Sequence, residues 1–183
     1  ISLTGILQAS KEQLSWMAEG YEYLRDFDKR YSELHGFKPS IKLTTVQPSG
    51  TLALLPGVTP GIHPGYAQYM IRRITIAADH KLVEMCRSSG YPMEYKLNYD
   101  GSYDYNSMIV SFPFAYPEGT VMAKEMTALD QLNWIRRMQT EWSDNAVSCT
   151  IYYKAEELPA IKEYLAKHYR NNHKSLSFLL HQN

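Results

Sequence analysis

The residues best suited to chemistry lie in one run, Lys42-Leu43-Thr44-Thr45-Val46-Gln47-Pro48-Ser49-Gly50-Thr51-Leu52-Ala53-Leu54-Leu55-Pro56-Gly57. A β-prone stretch feeds into Pro-Ser-Gly-Thr and then into a short apolar, helix-capable segment, which aims backbone N–H groups at one point. Ser49 and Thr51 add hydroxyl donors, Gly50 lets an anion approach the backbone, and the dipole of a following helix favours negative charge. Phosphate is the ligand such a corner would serve. The GxxxxGK[ST] and GxGxxG spacings are both absent, so on local grounds Pro48, Ser49, Gly50 and Thr51 also fit a plain strand–turn–helix corner.

Other reactive side chains carry weaker signals. His63 sits between two loop glycines and before Pro64, where it could meet a ligand, although an exposed loop histidine is the commoner case. The tyrosines at 91, 95, 99, 103 and 105 could stack on a base, but alternating tyrosines usually cover a sheet face. Asp144-Asn145 has the look of a catalytic pair and the context of a polar turn. Ser49 lies outside a Gly-x-Ser-x-Gly elbow. Cys86 and Cys149 stand in helix and strand patterns with no CxxC or Cys/His spacing, which reads as two small buried apolar residues and no metal site.

These residues need elements to hold them. Ile1 to Leu7 is a short apolar segment, and Ser10 with Gln13 forms a capping box. Leu14, Met17, Tyr21, Leu24, Tyr31 and Leu34 then recur at helical spacing until His35-Gly36 and Pro39 stop the helix. Lys42 to Val46 is a strand, and Pro56 to Gly65 is a Pro/Gly-rich loop. Tyr69 to Ala77 is a strand whose Arg72 and Arg73 point to opposite faces, so one of them could face a site. Asp79 to Ser88 is a helix. Met93 to Asn98 and Ser107 to Phe114 form a hairpin around Asp100-Gly101. Helices over Thr127 to Trp142 and Ala155 to Tyr169, the latter with Pro159 in its first turn, flank a strand over Ala146 to Tyr153, and Ser175 to Leu180 is a last strand. Alternating strands and helices predict βα units in a largely parallel sheet with one antiparallel hairpin inserted.

Composition excludes several partners. With 183 residues, 44% hydrophobic and 13% aromatic, the chain can bury a core and reads as one globular unit. Nineteen basic residues balance nineteen acidic ones, which removes the electrostatic footprint of a nucleic-acid binder. No apolar run approaches the roughly 20 residues of a membrane span, and Ile1 opens no signal peptide, so a cytoplasmic protein without membrane contact is expected. The start at Ile1 and the finish at His181-Gln182-Asn183 both read as cut ends.

In combination the motifs resemble a known family. Ile1-Ser2-Leu3-Thr4-Gly5-Ile6, then Lys42 to Leu55, Pro56 to Pro64 and Tyr69-Met70-Ile71-Arg72-Arg73-Ile74 occur in the order seen in adenosylcobalamin-dependent ribonucleoside-triphosphate reductases. Trp142-Ser143-Asp144-Asn145-Ala146-Val147-Ser148-Cys149-Thr150 and Ser175 to His181 continue the match across almost the whole chain. The resemblance is to the class II, monomeric, triphosphate-using type more than to the dimeric, diphosphate-using enzymes. It implies that residues 1–183 are a single segment, the C-terminal part, of a ten-stranded α/β barrel built around a finger loop. That loop carries a thiyl-radical cysteine that abstracts hydrogen from ribose C3′ before the 2′-hydroxyl leaves. It also implies adenosylcobalamin as cofactor, a ribonucleoside triphosphate as substrate and a thioredoxin-type reductant. The residues matching Pro48-Ser49-Gly50-Thr51 would hold substrate phosphate.

The family's Asn-Pro-Cys-Gly-Glu motif, with the radical cysteine, does not occur in this sequence, and neither Cys86 nor Cys149 lies in a matching cysteine motif. No catalytic residue is therefore expected within this segment, which by itself should not reduce nucleotides. A free-standing nucleotide- or phosphate-binding module without radical chemistry is the other reading. A glycyl-radical or oxygen-dependent reductase is a third.

Overall fold

In the computed structural model, residues 1–180 are described; the family match at His181 lies outside them. The chain divides into two compact units, residues 1–66 with 117–183 and residues 67–116.

The larger unit contains two strand–helix–strand crossovers. In the first, β1 (Ser2–Leu3) pairs in parallel with β2 (Thr45–Val46), with Leu3 opposite Val46, and α1 (Lys11–Leu34) makes the crossover. The Ser10 hydroxyl accepts from the Gln13 N–H and the Gln13 side chain answers the Ser10 N–H, so the expected capping box starts α1. Leu14 and Met17 of α1 are buried, whereas Tyr31 and Leu34, expected on the same stripe, point outward. In the second, β6 (Thr150–Tyr153) pairs in parallel with β7 (Ser177–Leu180) through α4 (Leu158–Asn172), whose Pro159 sits in the first turn. The helix α3 (Ala128–Glu141) precedes β6 and buries Ala128, Gln131, Leu132, Ile135 and Met138. Of these, Ala128, Leu132, Ile135 and Met138 join Ile6, Leu14, Met17, Val46, Trp142 and Ile151 in one apolar core.

The smaller unit is a three-stranded antiparallel sheet in the order β3-β5-β4, formed by β3 (Tyr69–Ala77), β4 (Met93–Leu97) and β5 (Tyr103–Ala115). The helix α2 (Lys81–Ser88) runs between β3 and β4. Val83, Met108 and Val110 make its core. The hairpin turns at Gly101, as the Asp-Gly pair predicts.

Two sequence expectations need correction. The described strands do not form a largely parallel sheet: β3 pairs antiparallel with β5 along nine residues, and β4 pairs antiparallel with the other edge of β5. The strands expected over Lys42 to Val46 and Ala146 to Tyr153 are shorter, since the Asn145 N–H donates to Thr44 O and the Val147 N–H to Gln139 Oε1 instead of to a ladder. The mixed α/β character stands.

Candidate functional site

The parallel pair β1–β2 ends with Leu3 beside Val46, so Thr4-Gly5 and Gln47-Pro48-Ser49 leave the sheet side by side at its carboxyl edge. Ligands of α/β sheets bind at such edges. Here Pro48, Gly50 and Thr51 are exposed and Ser49 is half-buried.

The helix expected after Thr51 is only a 3-10 turn over Leu52–Leu54, because Pro56 and Gly57 follow too soon for a longer one. A three-residue turn brings no appreciable macrodipole. The Ser49 N–H is also spent, donating to Gln47 O at 2.8 Å. The donors must then be local, and Thr51 does not use its hydroxyl to cap the turn. Gly50 is the most telling residue. Its φ is not positive, and a Cβ built on it meets nothing within 4 Å, so neither backbone conformation nor packing demands glycine there. What the missing side chain leaves open is an approach to the backbone from solvent.

Neighbouring glycines have plainly structural work. Gly61 (φ 59°) would place a Cβ 3.2 Å from Gln47 O, and Gly5 (φ 69°) would place one 2.8 Å from Val58 Cβ, so both allow loops to dock behind the corner. Gly5 N–H donates to Thr59 O and Ile6 N–H to Gly61 O, both at 3.0 Å.

His63 is not the exposed loop histidine expected. It is half-buried, with Thr150 N–H donating to Nε2 at 3.2 Å and Nδ1 3.1 Å from Pro60 O. The Thr150 bond requires a bare Nε2, so Nδ1 carries the proton and donates to Pro60. Burial pushes its pKa down against the opposing pull of the Pro60 bond. The ring pins the Pro/Gly loop to the start of β6.

Asp144 is the polar-turn residue expected, and much more heavily used than a turn requires. It accepts from the Tyr21 hydroxyl, Arg25 Nη2 and Leu43 N–H, each at 2.8 Å. Burial alone would raise its pKa; the Leu43 N–H, the Tyr21 hydroxyl and the Arg25 guanidinium outweigh it and hold the carboxyl at about 2. Arg25 also donates to Ser40 O and Ile41 O, so the cluster ties α1, the lead into β2 and the end of α3 together. Sequence reading missed this role because its partners lie more than 100 residues away.

The remaining candidates resolve as structure. Cys149 is buried, which pushes its thiol up to about 12, and Cys86 packs beside the smaller core. Tyr95 and Tyr105 meet edge to face at 5.0 Å. Arg73 of β3 pairs with Glu94 of β4 across the intervening β5. A hollow of about 340 Å³ lies beyond β6, beside the start of α3. The nearby helix donors are already used, with Glu157 accepting from Ala128 N–H at 2.8 Å and the Thr127 hydroxyl accepting from Asp130 N–H at 3.1 Å. Among the described residues, no group of three or more His, Cys, Asp or Glu side chains could hold a metal ion, and no helix is long and apolar enough to cross a membrane. His63 spends both ring nitrogens within the chain and His173 is 9% exposed, so neither of these two would be available to hold the cobalt of a cobalamin.

No family model matches the chain. It is 39% identical, over 87% of its length, to the adenosylcobalamin-dependent ribonucleoside-triphosphate reductase of Levilactobacillus brevis and covers 21% of that protein. With the enzyme of the same name from Euglena gracilis the identity is 33% over 97% of this chain and 25% of the relative. A crystal structure of a B12-dependent class II ribonucleotide reductase superposes with a TM-score of 0.77 at 32% identity, covering 95% of this chain and 24% of that one. The chain thus spans between a fifth and a quarter of the length of these relatives. Sequence and fold together match it to one segment of the adenosylcobalamin-dependent ribonucleoside-triphosphate reductases.

Proposed function

We propose that this chain is the substrate-phosphate-binding segment of a reductase that converts ribonucleoside triphosphates to their 2′-deoxy forms by thiyl-radical chemistry. The observation that supports the reading is Gly50: an exposed glycine without a positive φ, where an added Cβ meets nothing within 4 Å, at the carboxyl edge of a parallel strand pair and flanked by the Ser49 and Thr51 hydroxyls. Charge-assisted hydrogen bonds from such groups to phosphate are worth about 1.5–3 kcal/mol each. Pro48 lies at the centre of the tight turn closed by the Ser49 N–H to Gln47 O bond, which presents the residues beyond it.

In this reading residues 1–183 form one part of a ten-stranded barrel in a monomeric, cytoplasmic enzyme. Adenosylcobalamin, when bound to that enzyme, supplies the radical, and a thioredoxin-type reductant restores the cysteines. This segment contributes binding and barrel wall. It contains no Asn-Pro-Cys-Gly-Glu motif, so it is inactive by itself.

The experiment is an anaerobic reduction assay, with and without adenosylcobalamin. One sample is the 183-residue chain, and the other is the polypeptide from the same source extended upstream. Cobalamin-dependent product from the extended polypeptide alone is expected. A reading frame that opens at Ile1, with nucleotide binding but no reduction, would establish the module without radical chemistry instead.

A further inference from the structure

We infer that Thr4 is a positioning residue for the phosphate corner, a hydroxyl relay that frees the Ser49 proton for an incoming phosphate; the inference rests on the phosphate reading of Pro48 to Thr51. Thr4 stands immediately beyond β1, and its hydroxyl joins three segments. It accepts from Gly61 N–H at 2.9 Å and from the Ser49 hydroxyl at 3.2 Å, and it donates to Thr59 O across 3.5 Å.

The donor count decides what an anion would do. In this arrangement the Ser49 proton is directed at Thr4 and is not offered to solvent. Phosphate has only acceptor oxygens, so Ser49 must turn its proton outward to bind one, which leaves its own oxygen free to accept. Thr4 can then swing its proton from the distant Thr59 carbonyl onto Ser49. The move costs little, because a 3.5 Å hydrogen bond is weak and Thr59 O keeps the Gly5 N–H at 3.0 Å. The result is a chain from Gly61 N–H to Thr4 to Ser49 to phosphate, in which each bond polarises the next.

The surroundings hold Thr4 in place for this. Gly61 can bring its amide in only because it lacks a Cβ, which would stand 3.2 Å from Gln47 O. Thr59 is fully buried and fixed by Gln8, whose Oε1 accepts its N–H at 2.8 Å. Thr4 and Ser49 themselves remain reachable from solvent.

The test is equilibrium binding of a ribonucleoside triphosphate to the full-length reductase that contains this chain, with KM and kcat measured alongside. Thr4→Val should weaken binding about tenfold and raise KM while kcat holds, and Thr4→Ser should restore affinity to within about twofold. Ser49→Ala should weaken binding as much as Thr4→Val, and the double variant should be no worse than Ser49→Ala, since Thr4 acts through Ser49. Unchanged affinity in Thr4→Val, or effects that multiply in the double variant, would overturn the relay. Should Thr4→Val fail to fold, Ser49→Ala decides: full affinity there removes the terminal donor and the relay with it. Gly50→Val separates the two levels. If it weakens binding while Thr4→Val does not, only the relay is wrong, and if neither does, the phosphate reading itself falls.

Discussion

At the scale of single residues, the side chains that matter most to stability are not those closest to the proposed chemistry. Asp144 is 13% exposed and fixed by three hydrogen bonds of 2.8 Å. Its pKa is depressed from 3.8 to about 2, so the folded state favours the charged form. That contribution is present above the ordinary value and is lost as pH falls through about 2; it amounts to about 2 kcal/mol. Asp144→Asn should lower stability at pH 7 by that order and flatten the acid limb between pH 4 and 2, as read from denaturant midpoints over a pH series. A parent-like acid limb in the variant would show that another carboxylate sets it. His63 acts in the same direction at higher pH. Burial favours its neutral form, so its contribution is complete above about 6.5 and declines as pH falls below that value.

At the scale of elements, α3 holds β6 with side-chain amides as well as apolar packing. Gln131 is 2% exposed; its Nε2 donates to Tyr152 O at 2.9 Å and its Oε1 accepts from Tyr152 N–H at 3.0 Å, so it acts as an adjoining strand would. In the last turn of α3, Gln139 does similar service for Ser143, Asn145 and Val147. Gln131→Met keeps the volume and withdraws both bonds, and should cost about 2 kcal/mol in a denaturation midpoint. A cost near zero would mean that packing alone seats β6. Helical spacing revealed α3 itself, yet it gave no reason to bury Gln131. The same limit applies elsewhere. The Ser10–Gln13 box and the Gly101 turn were legible because their signals are local, whereas the β3–β5 pairing and the Asp144 cluster depend on residues distant in sequence. The helix expected after Thr51 failed because Pro56-Gly57 outweighed the helix propensity of Leu52 to Leu55.

At the scale of the whole molecule, the two compact units differ in what stabilises them. Among the described residues, the larger has fifteen buried apolar residues in its core and the smaller has three. Hydrogen exchange should therefore find the amides of β5 opening at lower free energy than those of α3; equal protection would indicate one cooperative unit. The candidate site belongs to the larger unit, on loops anchored by Gly5, Gly61 and His63. Its position beyond β2 was legible from the Pro-Ser-Gly-Thr motif, while its supports at Thr4 and Thr59 emerged only from the folded contacts. The most direct test of the phosphate reading is Gly50→Val in the full-length reductase, assayed for thermal stability and for ribonucleoside-triphosphate affinity in the same preparation. An added Cβ meets nothing within 4 Å, so the melting temperature should hold while affinity falls by about tenfold or more. A folded variant that binds the triphosphate as tightly as the parent would contradict it.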